Sequence, residues 1–156
     1  SRTLSSVAMG QEIGVTPLQM VTAVSAIAND GILMKPFIVE RIDSIRGDNI
    51  WKREPEIRRR PIRHQTAHTL TDLLENVVAN GTGKKAAILG YRVAGKTGTA
   101  EKIDSSSGTY SRTKFVGSFV GYAPADDPRF VMLVTIDEPQ GPAWGGAVRP
   151  SCSGWM

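Results

Sequence analysis

Two stretches of the sequence repeat apolar residues at the spacing of an amphipathic helix. At the start of the first, Thr16 and Gln19 are placed to form a capping box, and Pro17 occupies the position where helices most readily accept proline. Apolar side chains then recur three and four residues apart, at Met20, Val21, Val24, Ile27 and Ala28. Residues 29–31, Asn-Asp-Gly, end the pattern. The sequence therefore predicts a helix over 17–28 with its apolar face in the core.

The second helix is predicted from about His64 to Ala79. One side of this stretch carries a stripe of apolar residues, namely Ala67, Leu70, Leu73, Leu74, Val77 and Val78. The segment 80–83, Asn-Gly-Thr-Gly, ends it. Both helices are therefore expected to cover a common core.

Strands are predicted where the helical spacing stops. Apolar and polar residues alternate over 36–54 around a turn at Gly47-Asp48-Asn49, which predicts a β-ribbon. Further strands are predicted over 91–103, 113–122 and 130–136. Because short loops join these three, an antiparallel meander is favoured over parallel pairing. The expected fold class is α/β of the α+β kind, an antiparallel sheet flanked by helices.

Composition is compatible with one globular domain. The chain has 156 residues, of which 40% are hydrophobic and 22% charged. No apolar run approaches the roughly 20 residues of a membrane-spanning helix, and no signal peptide is visible. The chain opens at Ser1 without an initiator methionine, which suggests that its natural beginning lies elsewhere.

Charge and metal-ligating residues add few candidate functions. The net charge is +4, and the one dense basic run, 58–60, is interpreted as a solvated loop rather than a nucleic-acid site. Cys152 is the only cysteine, so neither an internal disulfide nor a cysteine-based zinc site can form. His64 and His68 lie one helical turn apart and could share a metal. No third ligand is evident from the sequence, so they are interpreted as solvated side chains, and neither a metal nor another cofactor is predicted.

The segment Lys96-Thr97-Gly98-Thr99-Ala100 carries the most informative chemistry. On an edge strand, an ammonium and two hydroxyls can hold a substrate carboxylate, while the backbone can pair with an extended peptide. Gly98 lacks a side chain, so a substrate could lie close to the main chain. An exposed strand with ordinary polar residues is the alternative.

Two other motifs compete with this interpretation. Residues 90–97 satisfy the phosphate-loop pattern G-x-x-x-x-G-K-[ST], and 131–138 resembles a Walker B strand, which together suggest a nucleotide hydrolase. A phosphate loop needs a helix directly after its lysine, however, and none is predicted there. Ser111-Arg112-Thr113-Lys114 matches the Ser-x-x-Lys of serine acyl-transferases. That motif works on a helix, whereas this copy leads into a strand, where an odd separation points the two side chains to opposite faces.

The flanking segments resemble class B penicillin-binding proteins, the peptidoglycan D,D-transpeptidases, and in particular those of cell division. The likeness runs from about Val7 to Val148. Its segments are 14–20 (Gly-Val-Thr-Pro-Leu-Gln-Met), 28–31 (Ala-Asn-Asp-Gly), 77–86 with its Gly-Thr-Gly, 91–100 with Lys-Thr-Gly-Thr, 119–124 and 136–139.

The resemblance implies a β-lactamase/transpeptidase-like fold and a serine acyl-transferase. In this family a serine attacks the penultimate D-Ala carbonyl of a stem peptide, releases the terminal D-Ala and passes the acyl group to another stem's amine; β-lactams acylate the same serine. Carried onto this chain, Lys96 supplies positive potential, and the Thr97 and Thr99 hydroxyls hold the substrate carboxylate. The Thr99 backbone N–H is one oxyanion donor, and Gly98 permits close approach. Loop 104–111 is expected to border the cleft.

The sequence also departs from the family pattern. No Ser-x-x-Lys precedes Lys96 and no Ser-x-Asn occurs, so the nucleophile, its base and the second oxyanion donor are missing. The expected domain is 1–148, the C-terminal part of a transpeptidase domain. The tail 149–156 is unlike the family and is expected to be truncated or frame-shifted. A non-catalytic peptidoglycan-binding module therefore remains an alternative, as does the nucleotide hydrolase.

The resemblance further implies a parent protein anchored at the outer, periplasmic face of the cytoplasmic membrane by an upstream segment. Its expected partners are stem peptides, β-lactams and other cell-wall or division proteins, and not nucleic acid. Alone, this chain is expected to lack transpeptidase activity and to fold poorly, because its sheet would lose neighbouring strands.

Overall fold

The structure is a computed structural model that describes residues 13–104 and 108–139, together with Leu4 and Gly10. The helix α1 spans Pro17–Ala28 and α2 spans His64–Ala79, with the bounds that the hydrophobic spacing predicted. At the start of α1 the predicted capping box is present. The Gln19 amide donates to Thr16 Oγ1 at 3.2 Å, and the Thr16 amide donates to Gln19 Oε1 at 2.8 Å.

The ribbon region holds two short antiparallel pairs. β1 (Leu33–Met34) pairs with β4 (Ile57–Arg59), and β2 (Arg41–Asp43) pairs with β3 (Asn49–Lys52). The predicted ribbon is thus confirmed over β2 and β3. The prediction that 58–60 forms a loop is wrong for its first two residues, which lie in β4 and are exposed. Pairing with the distant β1 orders them, although their own side chains form no apolar pattern.

A three-stranded antiparallel sheet forms the rest of the described chain, in the order β5-β6-β7. β5 spans Ala94–Ile103, β6 spans Tyr110–Ala123 and β7 spans Phe130–Asp137. The predicted meander is therefore confirmed. β5 begins three residues later than predicted, because Tyr91 forms an isolated bridge with Ile88 around Gly90, whose φ is 83°. β6 begins three residues earlier than predicted, where Tyr110 pairs with Ile103.

Both helices pack against this sheet. In one core cluster Val78 of α2 and Ala86 of a short 3₁₀ helix (Lys84–Ala86) meet Phe119 of β6. In the other, Ala94 and Tyr122 pack with Ala125 and with apolar residues of both helices. The fold is the predicted mixed α/β arrangement of antiparallel strands covered by helices. Within the described ranges, neither helix is long and apolar enough to cross a membrane.

Contacts between α2 and the sheet fix where β5 lies. Arg92, two residues before β5, donates from Nε and Nη2 to the Glu75 carboxylate at 2.8 and 2.6 Å. This paired carboxylate raises the pKa of the Arg92 guanidinium. On β6 the Tyr122 hydroxyl lies 2.7 Å from Thr71 Oγ1 of α2. These two links hold α2 across the N-terminal end of β5.

Candidate functional site on strand β5

The four residues Lys96-Thr97-Gly98-Thr99 lie inside β5, as the sequence predicted. Their partners on β6 run antiparallel from Val120 to Gly117. Among the described residues β5 pairs with β6 alone, so its other side forms an edge of the three-stranded sheet. An edge strand can accept an extended peptide through its backbone.

The threonine hydroxyls share one face of β5. Side chains alternate along a strand, so Thr97 and Thr99 lie on one face and Lys96 and Gly98 on the other. Thr97 Oγ1 lies 2.8 Å from Thr82 Oγ1, which belongs to the segment between α2 and the 3₁₀ helix. This contact orients the Thr97 hydroxyl towards Thr82.

The turn that carries Thr82 is itself fastened to α2. The amides of Gly81 and Gly83, on either side of Thr82, both donate to the Val77 carbonyl, at 3.1 and 3.0 Å. The Thr82–Thr97 contact thus connects the C-terminal end of α2 with the middle of β5.

Lys96 is exposed, and its ammonium turns back along the strand. Nζ donates to the Thr97 carbonyl oxygen at 2.8 Å. Backbone carbonyls of a paired strand lie near the plane of the sheet, so this contact holds the positive charge close to that plane. The ammonium can therefore add positive potential along β5, even though the lysine Cβ and the threonine hydroxyls leave the strand on opposite faces.

Gly98 lies opposite Ser118 on β6. A Cβ placed on Gly98 would meet Ser118 Oγ at 2.5 Å, whereas Ser118 Cβ would be 3.9 Å away. Gly98 thus leaves space that the serine hydroxyl partly uses. This space is compatible with a substrate that lies close to the backbone at Gly98. The close approach itself stays a prediction.

Sequence reasoning missed two polar neighbours of these residues, Thr82 and Ser118. The Gly-Thr-Gly run at 81–83 resembles the family, but nothing in its local pattern shows that Thr82 meets a residue 15 positions later. Ser118 carries no signal beyond the small residues that surround it. Both contacts depend on which strand and turn lie beside β5.

The structure lacks the geometry that the phosphate-loop alternative requires. Lys96 and Thr97 lie within a ten-residue strand rather than before a helix. The proposed Walker B strand is β7, which pairs antiparallel to β6 in a meander. Among the residues that the structure describes, no helix begins near Lys96 to hold phosphates.

The internal Ser-x-x-Lys lies within β6 as predicted, at a point where the pairing with β5 is irregular and passes from Phe115 to Tyr110. Ser111 lies in β6 and is buried, and its Oγ accepts hydrogen bonds from the backbone amides of Thr113 and Lys114 at 3.2 and 3.1 Å. A hydroxyl that accepts from these amides stabilises a local turn of the backbone.

A third side chain that could ligate a metal, which the sequence does not make evident, lies beside His64 and His68. Asp30 Oδ1 lies 3.7 Å from Nε2 of His64 and 3.2 Å from Nε2 of His68. Both rings are exposed, as predicted. Asp30 follows α1, and the sequence does not show that this turn reaches the start of α2.

Several predictions fall outside the described residues. These are the centre of the loop 104–111, at 105–107, and the atypical tail 149–156 with Cys152.

Comparison with known proteins decides the family. The model of the penicillin-binding protein transpeptidase domain matches residues 1–153. The chain belongs to this family. Stage V sporulation protein D of Bacillus subtilis is 43% identical over 146 residues, which are 92% of this chain and 22% of that protein. The penicillin-binding protein PbpB of Mycolicibacterium smegmatis is 38% identical over 90% of this chain and 23% of its own length.

Solved transpeptidase structures share the fold. Penicillin-binding protein 3 of Mycobacterium tuberculosis in complex with aztreonam aligns with a TM-score of 0.77 and 36% identity, over 83% of this chain and 30% of that one. The D,D-transpeptidase domain of a peptidoglycan glycosyltransferase from Eggerthella lenta aligns with a TM-score of 0.72 and 39% identity, over 81% of this chain and 28% of that one. The transpeptidase-like fold and the class B relationship predicted from the sequence are confirmed. The chain spans about a fifth of the length of these curated relatives.

Proposed function

We propose that this chain forms the carboxylate-binding and oxyanion side of a serine acyl-transferase that cross-links peptidoglycan stem peptides and is acylated by β-lactams. The Thr97 and Thr99 hydroxyls bind the terminal carboxylate of the D-Ala-D-Ala donor. Lys96 supplies positive potential, and the Thr99 backbone N–H stabilises the developing oxyanion. Such a donor is typically worth about 2.7–4 kcal/mol in the transition state.

The observation that carries the proposal is the Thr82–Thr97 contact on an edge strand. A hydroxyl held at 2.8 Å by a second hydroxyl is positioned before any substrate arrives. Thr99 lies two residues further on the same face, so a carboxylate lying along β5 can meet both hydroxyls. Lys96 adds a charge that favours an anion.

The names of related proteins support the substrate class. One relative from Mesostigma viride, 31% identical over 85% of this chain, is a peptidoglycan D,D-transpeptidase FtsI homolog. The mycobacterial penicillin-binding protein 3 is known in complex with ampicillin as well as aztreonam. A carboxylate-bearing β-lactam and a D-Ala-D-Ala terminus present the same anion to β5.

The acylated serine is proposed to lie in the remainder of a longer protein. The chain has no Ser-x-x-Lys before Lys96, and Ser111 is buried in β6. We therefore expect the 156 residues alone to form no acyl-enzyme. The intact protein is proposed to be anchored at the outer face of the cytoplasmic membrane and to act there with other cell-wall and division proteins.

Labelling of the intact protein by a fluorescent penicillin tests the proposal. Thr97→Val and Thr99→Val each remove a hydroxyl that bonds the carboxylate, so the acylation rate should fall about ten- to a hundredfold, which corresponds to roughly 1.5–3 kcal/mol. Thr135→Val on β7 makes the same exchange at another exposed strand position and should leave labelling unchanged. Equal labelling of all three variants and the wild type would contradict the proposed roles.

A non-catalytic peptidoglycan-binding module is the second candidate, because the chain carries the proposed carboxylate-binding strand β5 but no Ser-x-x-Lys before Lys96. In that case the intact protein would bind a D-Ala-D-Ala stem peptide, weakened by Thr97→Val, yet form no covalent adduct with penicillin. Covalent labelling that is lost when an upstream Ser-x-x-Lys serine is mutated decides for the enzyme.

A further inference from the structure

Three side chains that can ligate a metal converge at the start of α2. His64 and His68 lie one turn apart, with ring centroids separated by 4.2 Å and Nε2 atoms separated by 3.1 Å. Asp30 Oδ1 lies 3.2 Å from Nε2 of His68 and 3.7 Å from Nε2 of His64. One atom from each of three residues therefore faces a common point.

We propose that Asp30, His64 and His68 form a zinc site, completed by solvent. Zn²⁺ binds imidazole nitrogen and carboxylate oxygen at about 2.0–2.2 Å in tetrahedral geometry, which places ligand atoms ~3.3 Å apart. The three observed separations, 3.1, 3.2 and 3.7 Å, lie close to that value. Small rotations of exposed side chains are enough to equalise them.

The position of Asp30 is set by its backbone and not by the histidines. Its φ is 52°, and the next residue, Gly31, has a φ of 83°. The Arg60 guanidinium donates to the Asp30 carbonyl oxygen. A Cβ on Gly31 would overlap the Ile62 carbonyl, so this turn is packed directly against the segment that enters α2. The carboxylate is thus held beside the helix start independently of any ion.

The three atoms can also contact one another through a proton. His68 Nε2 lies 3.1 Å from His64 Nε2 and 3.2 Å from Asp30 Oδ1, so a proton on His68 can serve one contact or be shared between both. A divalent cation would instead accept a lone pair from each of the three atoms, and zinc titration distinguishes the two arrangements.

The donor set and exposure select the kind of ion. Two imidazoles and one carboxylate suit Zn²⁺, whereas Mg²⁺ and Ca²⁺ prefer sites made of oxygen ligands. The three side chains are 59–62% exposed, so a hydrated ion can reach them directly from solvent. The ion would join the turn after α1 to the first turn of α2. Both helices pack against the sheet. An ion that joins them and binds only the folded state should therefore stabilise the folded domain.

Zinc binding to the intact, metal-depleted protein tests the site. We expect isothermal titration with Zn²⁺ to show a saturable site whose affinity falls about tenfold or more in Asp30→Asn and in His68→Gln. Asparagine tolerates the left-handed backbone of residue 30 almost as well as aspartate, so the first variant should fold normally. Zinc should also raise the melting temperature of the wild type by several degrees and raise it little in either variant.

Asp127→Asn is the matched control, since Asp127 is an exposed aspartate in another turn, with its side chain 79% exposed. This variant should keep wild-type zinc affinity and the full rise in melting temperature. The proposal is overturned if wild-type protein shows no saturable zinc binding, or if its affinity and thermal shift equal those of Asp30→Asn and His68→Gln. If Asp127→Asn lowers the zinc affinity as much as Asp30→Asn does, zinc binding depends only on general surface charge, and the proposal is likewise overturned.

Discussion

At the scale of single residues, the candidate site on β5 is built from small side chains as well as polar ones. Gly95 lies against Phe119, and Gly98 lies against Ser118. The two glycines differ in what an added methyl would meet. At Gly98 the obstacle is one rotatable hydroxyl, whereas at Gly95 it is an aromatic ring and the Val120 carbonyl. The two positions should therefore respond differently to the same substitution.

We expect Gly98→Ala to destabilise the intact protein by about 0.5–1.5 kcal/mol, because Ser118 Oγ must turn away from the new methyl. Adding Ser118→Ala should restore most of that loss, because the remaining Ser118 Cβ position is 3.9 Å from the new methyl. Denaturant unfolding of the single and double variants measures the coupling.

Gly95→Ala serves as the control, and adding Ser118→Ala should not restore the stability that Gly95→Ala loses. The rate of penicillin acylation separates packing from substrate approach. If the proposed role of Gly98 is right, the double variant regains stability but not acylation. Full recovery of both would leave Gly98 with a packing role alone.

At the scale of elements, both helices formed where local signals predicted them. The capping box at Thr16 satisfies amides at the start of α1, and Asn29 ends the helix with its amide bonded to the Ser25 carbonyl. These interactions span three or four residues and so can be recognised in a sequence. The start of α2 differs, since its N-cap Arg63 makes no side-chain cap.

Thr16→Ala should lower the free energy of unfolding by about 1 kcal/mol, because it leaves a helix amide without its acceptor. Thr22→Ala is a suitable comparison within the same helix. Its hydroxyl bonds the Leu18 carbonyl, which already lies in the helix, so its removal should change stability little. Chemical denaturation of both variants checks this. Equal decreases in the free energy of unfolding would show that the Thr16 cap does not contribute specifically to stability.

At the scale of the whole described molecule, α2 is the element that connects the layers. Its N-terminal turn meets Asp30, its middle contacts Tyr122 and Arg92, and its C-terminal end leads to Thr82. Tyr122 is buried at this junction, and burial raises the pKa of its phenol above the usual 10.0. The folded state therefore holds the phenolic proton more tightly than the unfolded state does.

This shift predicts a loss of stability at alkaline pH. Below pH 10 the phenol is neutral in both states, and its contribution is complete. As pH rises above about 10, the unfolded chain ionises first, so the free energy of unfolding falls. Tyr122→Phe should be less stable at neutral pH by about 0.5–1.5 kcal/mol, through loss of the Thr71 hydrogen bond, but should decline less steeply in alkali.

Unfolding measured from pH 8 to 11 tests this, with Tyr91→Phe as the control because Tyr91 is 61% exposed. The control should follow the wild-type curve throughout. Parallel curves for Tyr122→Phe and wild type would contradict the proposed linkage.

The sequence by itself determined the features that depend on neighbours along the chain. Helical spacing, the capping box and short connections predicted α1, α2 and the meander of β5, β6 and β7, and they placed Lys-Thr-Gly-Thr on a strand. These signals are readable because hydrogen bonds within a helix, and pairing across a short turn, join residues close in sequence.

Only the tertiary structure decided which distant residues meet. It brought Thr82 to Thr97, Asp30 to the two histidines, and the arginines of β4 to the short strand β1. None of these contacts has a local pattern, because each depends on how the helices and turns pack around the sheet. The hydrophobic effect that drives this packing is non-directional, so it does not specify which polar side chains will meet. Those pairs can be identified only in the folded structure.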